Sequence, residues 1–272
     1  MSSARTAARA LSESASRRAF LGVSVLLFAA SVTLTIVRGT SMSAMGEMAM
    51  PGGWTVSMTW TRVPGQTWPG AAASFLGMWI VMMAAMMLPS LIPALWRYRQ
   101  AIGGVGRARL GRLTALVGLG YFLVWTLVAL AVYPLGVALV AVEMHVPALA
   151  RAVPIAAAVV VLVAGLSQFT RWKAHHLARW RRTPAGERKL PADKGSALRQ
   201  GIGLGLHCTY CCSGLMAILL VTGIMDLRAM AAATVAMTVE YLAPDGARAA
   251  RVVGVVAFAG GFFLIAHSFG TG

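Results

Sequence analysis

The sequence predicts an all-α protein of the polytopic membrane type: about seven transmembrane helices in one bundle, with the N-terminus in the cytoplasm. Of its 272 residues, 58% are hydrophobic and only 12% are charged, whereas a soluble domain carries about 25% charged residues. The apolar residues are collected into stretches close to the roughly 20 residues that a helix needs to cross a bilayer. The basic residues lie between these stretches, which is the pattern that orients membrane proteins.

The first predicted span covers residues 19–37 and follows a polar tail at 1–18, so that residues 19–272 form the transmembrane domain. Arginines before an apolar run resemble a signal peptide, but no A-x-A-like cleavage site follows, so we interpret it as an uncleaved span. Length and hydropathy place the other six spans at 71–95, 113–141, 152–170, 201–224, 228–243 and 252–269. The span at 228–243 is short.

Charge then assigns the loops to the two sides of the membrane. With seven spans, twenty of the 24 lysines and arginines fall on the side of the N-terminal tail and four on the other. The positive-inside rule therefore predicts cytoplasmic loops at 96–112, 171–200 and 244–251, and an extracytoplasmic loop at 39–70. The same distribution accounts for the net charge of +16 without nucleic acid as a partner. It predicts a multi-pass protein of a bacterial inner membrane.

The second span contains an unusual stretch of methionines, "MWIVMMAAMMLPS", with five between Met78 and Met87. On a helix, Met78, Met82 and Met86 share one face, and Met83 and Met87 form an adjacent row. Thioethers are soft ligands that favour Cu(I), although methionine is also a flexible filler of helix-bundle cores. From its longer row, we predict that Met82 and Met86 bind metal and face the fifth span.

A second group of methionines lies in the extracytoplasmic loop, in "MSAMGEMAM". The spacing resembles the Met-x-x-Met patterns of extracytoplasmic copper-binding proteins, and the loop has no core for these side chains to fill. It could also lie against the membrane or a partner. The candidate ligands are Met42, Met45, Met48 and Met50.

All three cysteines fall in the fifth span, in "HCTYCC", which begins at His207. Cys208 and Cys212 share a helix face, and Cys211 lies between them; thiolates and imidazole suit Cu(I), Zn(II) or an iron–sulfur centre. The alternative is that cysteine here is only a small hydrophobic residue. We predict free, reduced cysteines at mid-membrane depth, where the methionines of the second span could complete a Met/Cys/His site.

Glu240, near the inner end of the sixth span, is costly in a membrane unless it is paired or reaches water. His207 is one candidate partner for it. His175 and His176 lie in a basic loop and are expected to be solvated, whereas His145 could join a metal-uptake site in the outer turn. No P-loop, H-E-x-x-H or catalytic triad is found in the sequence, so a non-enzymatic role is favoured over an enzymatic one.

The motifs, in this order and spacing, resemble a bacterial family of predicted metal-binding integral membrane proteins over about residues 70–272. Members have a W-x-x-M-x-x-A-M-M-x-P stretch, then Y-C-x-x-C-C, then a glutamate before the last span. The matching residues are Trp79, Met82, Met83, Met86, Met87, Pro89, Cys208, Cys211, Cys212, Met216, Met225, Met230 and Glu240.

The chain departs from the family at two places. His207 stands where tyrosine is usual, and "WKAHHLARW" stands where a K-x-x-C-L-x-x-C-like pair is usual, with His175 as a substitute for one ligand. The resemblance implies metal binding, and the ligand types favour copper, as Cu(I), transported or delivered to a membrane cuproenzyme. The alternative is an accessory or structural subunit of a larger membrane complex, with the methionines as packing; a membrane redox enzyme with a catalytic metal is the third hypothesis.

Overall fold

The computed structural model describes residues 2–44, 47–49, 55–57, 60, 65–102, 105–181, 191–224 and 226–270. Over these residues the chain forms eight helices and one short antiparallel hairpin. The elements are α1 Ser2–Ala44, β1 Glu47–Ala49, β2 Thr55–Ser57, α2 Trp68–Ala101, α3 Arg107–His145, α4 Pro147–Ser167, α5 Arg171–Arg181, α6 Lys194–Thr222, α7 Leu227–Leu242 and α8 Gly246–Gly270. Six helices are long and apolar enough to cross a membrane, which confirms the predicted helical fold class.

Each predicted span lies largely within a helix, but most helices continue past the apolar stretch. α3 has 39 residues, about 58 Å at 1.5 Å per residue, far more than a bilayer needs. Arginine is a good helix former, so α2 runs through Arg97 and Arg99 before it ends. For the same reason α1 includes the predicted polar tail, and the predicted loop at 171–200 contains α5 and the start of α6.

Side-chain caps fix several helix starts. The Thr67 hydroxyl accepts a hydrogen bond from the Gly70 amide at the start of α2, and Asp226 accepts bonds from the first turn of α7. Asp193 accepts a 2.8 Å bond from the Ser196 amide at the start of α6, and this bond lowers the pKa of the Asp193 carboxyl. Such caps satisfy amides that have no partner within the helix.

α3 and α6 run parallel and touch through glycines. A Cβ atom on Gly120 would lie 2.6 Å from the Leu198 carbonyl oxygen, and one on Gly201 would overlap the Val117 carbonyl oxygen. Small residues with this spacing let two helix backbones approach closely. Gly201 and Gly205 thus allow α6 to pack closely against α3.

α7 has only 16 residues, and it is the predicted span that is not among the six helices long enough to cross a membrane. At its first residue, the Leu227 side chain lies 3.2 Å from the position of a Cβ on Gly39, near the end of α1. At its other end, Glu240 and Tyr241 contact α5, which follows α4. We call the end of the bundle that holds α5 and the α2–α3 connection the basic end. α7 therefore runs toward the basic end, as the seven-span prediction requires.

The buried core is centred on α2, whereas apolar side chains of α1, α3 and α8 face outward. Met82, Met83, Met86 and Met87 are each at most 2% exposed. By contrast, Leu26 is 71% exposed and Phe263 is 67% exposed. A bundle with this apolar exterior is suited to lipid, where exposed hydrocarbon carries no penalty.

Candidate metal centre

Three sulfur atoms meet inside the bundle. Cys208 and Cys212 are one turn apart on α6, and their Sγ atoms are 3.7 Å apart. The Met87 side chain reaches across from α2, and its Sδ lies 3.8 Å from the Cys208 Sγ. Three sulfurs around one trigonal metal, with bonds of about 2.3 Å, are about 4 Å apart. The two observed separations are close to that value.

Two tyrosine hydroxyls surround these sulfurs. Tyr121 on α3 donates a hydrogen bond of 3.0 Å to the Cys208 Sγ. The Tyr241 hydroxyl lies 3.2 Å from the Cys212 Sγ and donates to Cys208 at 3.6 Å. Hydroxyl donors directed at a thiolate stabilise its charge and orient it. The sulfur cluster, defined as Met87, Cys208 and Cys212, therefore has polar support from two further helices.

Cys211 is also buried, but its side chain has different neighbours from those of Cys208 and Cys212. It interacts with Tyr241 and lies within electrostatic reach of Lys173 and Glu240. The Lys173 Nζ is 2.7 Å from the Glu240 Oε2, and both side chains are at most 4% exposed. This buried ion pair joins α5 to α7 beside the cluster. The sequence alone did not point to Lys173 as the partner of Glu240.

The cluster lies toward the basic end of the bundle. The end of α4 packs at the level of Gly214, where a Cβ would lie 2.9 Å from the Ser167 hydroxyl, and α7 ends one residue after Tyr241. At 21 residues, α4 is only about 31 Å long, and it needs that whole length to cross the hydrocarbon of a bilayer. The cluster is thus close to the face where α4 and α7 end.

The methionine that the structure places next to Cys208 is Met87, from the row adjacent to the predicted Met82 and Met86. Met83 is one turn away on the row of Met87. Met82 instead lines a groove between α1 and α2 with Met78, Thr35 and Arg38. Both rows have the same helical spacing, and the rotation of α2 within the bundle decides between them. The Trp79 indole, which donates to the Trp125 carbonyl oxygen at 3.1 Å, helps to set that rotation.

His207 lies beside α5, apart from the sulfur cluster. Its ring centroid is 5.5 Å from that of His176, and both side chains are half-buried. The expectation that His176 is solvated is therefore wrong, whereas His175 is exposed as predicted. The three cysteines are free and helical, which confirms the prediction made for them.

The predicted extracytoplasmic ligands cannot be placed in the same way. Met45 and Met50 lie outside the described residues, and for Met42 and Met48 only the backbone is described, in α1 and β1. At the end of α3, the His145 Nδ1 lies 2.6 Å from the Ala141 carbonyl oxygen. Within the described ranges, no group of three or more His, Cys, Asp or Glu residues could hold a metal, so the cluster depends on a methionine.

Comparison with known proteins identifies the family of this chain. A family model described as PpoB2, copper chaperone, matches residues 76–264, more than two thirds of the chain. This chain belongs to the PpoB2 copper chaperone family. The matched range of this PpoB2 protein includes every residue of the sulfur cluster and both tyrosines, and the family description supports copper handling. Neither the curated proteins nor the solved structures include a match.

Proposed function

We propose that this member of the PpoB2 copper chaperone family binds Cu(I) through the thiolates of Cys208 and Cys212 and the thioether of Met87. The observation that carries the proposal is the position of the Cys208 sulfur, 3.7 Å from the Cys212 sulfur and 3.8 Å from the Met87 sulfur, with all three residues buried. Thiolate and thioether sulfurs are the ligands that select Cu(I). Sulfur that served only to fill space would not require two tyrosine hydroxyls directed at it.

The ligand set favours Cu(I) over Zn²⁺. A structural zinc site uses four Cys, His or carboxylate ligands in a tetrahedron, and the described residues offer no such group. Two thiolates and one Cu⁺ leave a single negative charge. The hydroxyls of Tyr121 and Tyr241 can stabilise that charge within the bundle by hydrogen bonds.

The proposed route of copper begins at the extracytoplasmic side and ends at a membrane cuproenzyme. Met42, Met45, Met48 and Met50 would collect the ion there, as the loop composition suggests. A cavity of about 460 Å³ between α1 and α2 is lined by Met78 and Met82. It offers sulfur between that loop and the cluster. In this proposal Met82 and Met86 serve passage of the ion, and Met87 serves its retention.

X-ray absorption of the purified protein tests the copper site. We expect copper in the wild-type protein to show sulfur ligands at about 2.3 Å. The double variant Cys208→Ser/Cys212→Ser should lose them, while Cys211→Ser, a buried thiol outside the cluster, should keep them. Unchanged sulfur coordination in the double variant would refute the proposal. A metal-free chain in a stoichiometric complex with a large partner would instead favour the accessory-subunit alternative.

The orientation belongs to the same proposal: the basic end faces the cytoplasm of a bacterial inner membrane. Reporter fusions at positions 55 and 185 should then give opposite signals, because twenty of the 24 basic residues lie on the side of position 185. The same signal from both fusions would reject this topology.

A further inference from the structure

A second group of metal-ligating side chains lies between α5 and α6. The imidazoles of His176 and His207 are 5.5 Å apart between centroids, with their planes inclined at 57°. Trp172 and Tyr210 surround His176, at centroid distances of 4.6 and 5.6 Å. None of these residues takes part in the sulfur cluster.

The separation of the two imidazoles suits one small ion between them. A copper–imidazole bond is about 2.0 Å long and a ring nitrogen lies roughly 1.1 Å from its centroid, so a linear N–Cu–N unit would separate the centroids by about 6.2 Å. With the same bond lengths, an N–Cu–N angle of about 125° gives the observed 5.5 Å. Imidazole is a suitable ligand for copper. Cu(I) can be bound by fewer ligands than the four that Zn²⁺ takes in structural sites.

The histidine pair and the sulfur cluster occupy different faces of α6. His207 and Cys208 are consecutive, so their side chains are about 100° apart around the helix. Cys208 is completely buried among α2, α3 and α7, whereas His176 and His207 are half-buried. Trp172 is 50% exposed and Tyr210 is 48% exposed. An ion or a partner protein can therefore reach the histidines from the surface but cannot reach the thiols directly.

We propose that His176 and His207 form a second Cu(I) site, next to the sulfur cluster and open to the basic end of the bundle. The inference deepens the proposed copper function and rests on it. Copper at this site keeps its oxidation state and exchanges ligands only. The histidine pair would be the copper site that is accessible from the surface, and the sulfur cluster would be the enclosed copper site.

Anaerobic titration of the full-length protein in detergent with Cu(I), held by a competing chelator, tests the site. We expect the wild-type protein to bind two coppers per chain, with both nitrogen and sulfur ligands by X-ray absorption. His176→Gln and His207→Gln should each leave one copper with sulfur ligands only. Cys208→Ser/Cys212→Ser should leave one copper with nitrogen ligands.

The outcomes separate the two proposals. A single copper in the wild-type protein, bound by sulfur alone, would overturn the histidine site and leave the sulfur cluster standing. Unchanged nitrogen coordination in both glutamine variants would overturn it as well. If the cysteine variant alone behaved like the wild type, the sulfur cluster would fail and the histidine site would stand. The wild-type absorption spectrum tests the histidine site even if a variant fails to fold.

Discussion

Replacement of single methionines of α2 by leucine can distinguish a methionine that binds copper from one that only packs in the core. Met87 and Met82 are both on α2 and are at most 1% exposed, so Met87→Leu and Met82→Leu should have similar effects on folding. Leucine keeps most of the volume, and such exchanges usually cost less than about 1.5 kcal/mol. Of these two methionines, Met87 is the one whose sulfur lies 3.8 Å from the Cys208 sulfur. The two variants should therefore differ in copper affinity and not in stability.

The expected loss of copper affinity in Met87→Leu follows from the number of sulfur ligands. Loss of an outer-shell partner of a metal site weakens binding about 10–100-fold. Met87 would be one of three direct ligands, so Met87→Leu should weaken binding by at least about 100-fold, or about 2.7 kcal/mol at 1.36 kcal/mol per tenfold. Met82→Leu should leave the equilibrium affinity unchanged, although it could slow loading.

Competition with a Cu(I) chelator under anaerobic conditions measures both affinities, and thermal unfolding in the same detergent measures both stabilities. Because the histidine pair would also hold copper, the comparison is made in a His176→Gln background. Equal affinities for the two variants would refute the assignment of Met87. A larger loss for Met82→Leu than for Met87→Leu would return the ligand role to the row that the sequence favoured.

Three further predictions concern the surroundings of the cluster. Glu240→Gln should lower the free energy of unfolding by about 3–5 kcal/mol because it leaves the Lys173 ammonium buried without its counter-ion; a thermal unfolding curve measures this, and an unchanged midpoint would contradict it. Tyr121→Phe should weaken copper binding about 10–100-fold in the chelator assay with little change in stability, and full affinity would remove the hydroxyl from the site. Gly201→Ala should destabilise the protein because its Cβ overlaps a carbonyl oxygen of α3, whereas Gly203→Ala, which meets nothing within 4 Å, should not; equal melting temperatures would refute the close approach of α3 and α6.

The order of the long helices could be predicted because the thickness of a bilayer sets a helix length that hydropathy reveals. Their ends could not be predicted as well. α2 continues for six residues beyond the apolar stretch that was expected to end at residue 95, because arginine interrupts hydropathy without interrupting a helix. α5 was missed for the same reason: its 11 residues include several basic ones, and only its buried face packs against the bundle.

The site was predictable in its chemistry but not in its register. Three cysteines in one apolar stretch pointed to α6, and their helical spacing correctly paired Cys208 with Cys212. Nothing in the spacing distinguished the Met82 row from the Met87 row, because the rotation of α2 depends on contacts with α3. The sequence did not indicate Tyr121 and Tyr241 as site residues, because tyrosine is common in membrane spans. Only the structure shows that their hydroxyls contact the cysteine sulfurs.

α5 connects the two proposed copper sites. Lys173 pairs with Glu240, Trp180 packs on Tyr241 at 4.9 Å between ring centroids, and His176 faces His207. A helix of 11 residues is too short to be stable alone in water, so these contacts and not intrinsic propensity hold it in place. The same contacts position the hydroxyl of Tyr241 next to the Cys212 sulfur. Any change that displaced α5 would therefore disturb the histidine pair and the support of the sulfur cluster together, although no residue of α5 belongs to that cluster.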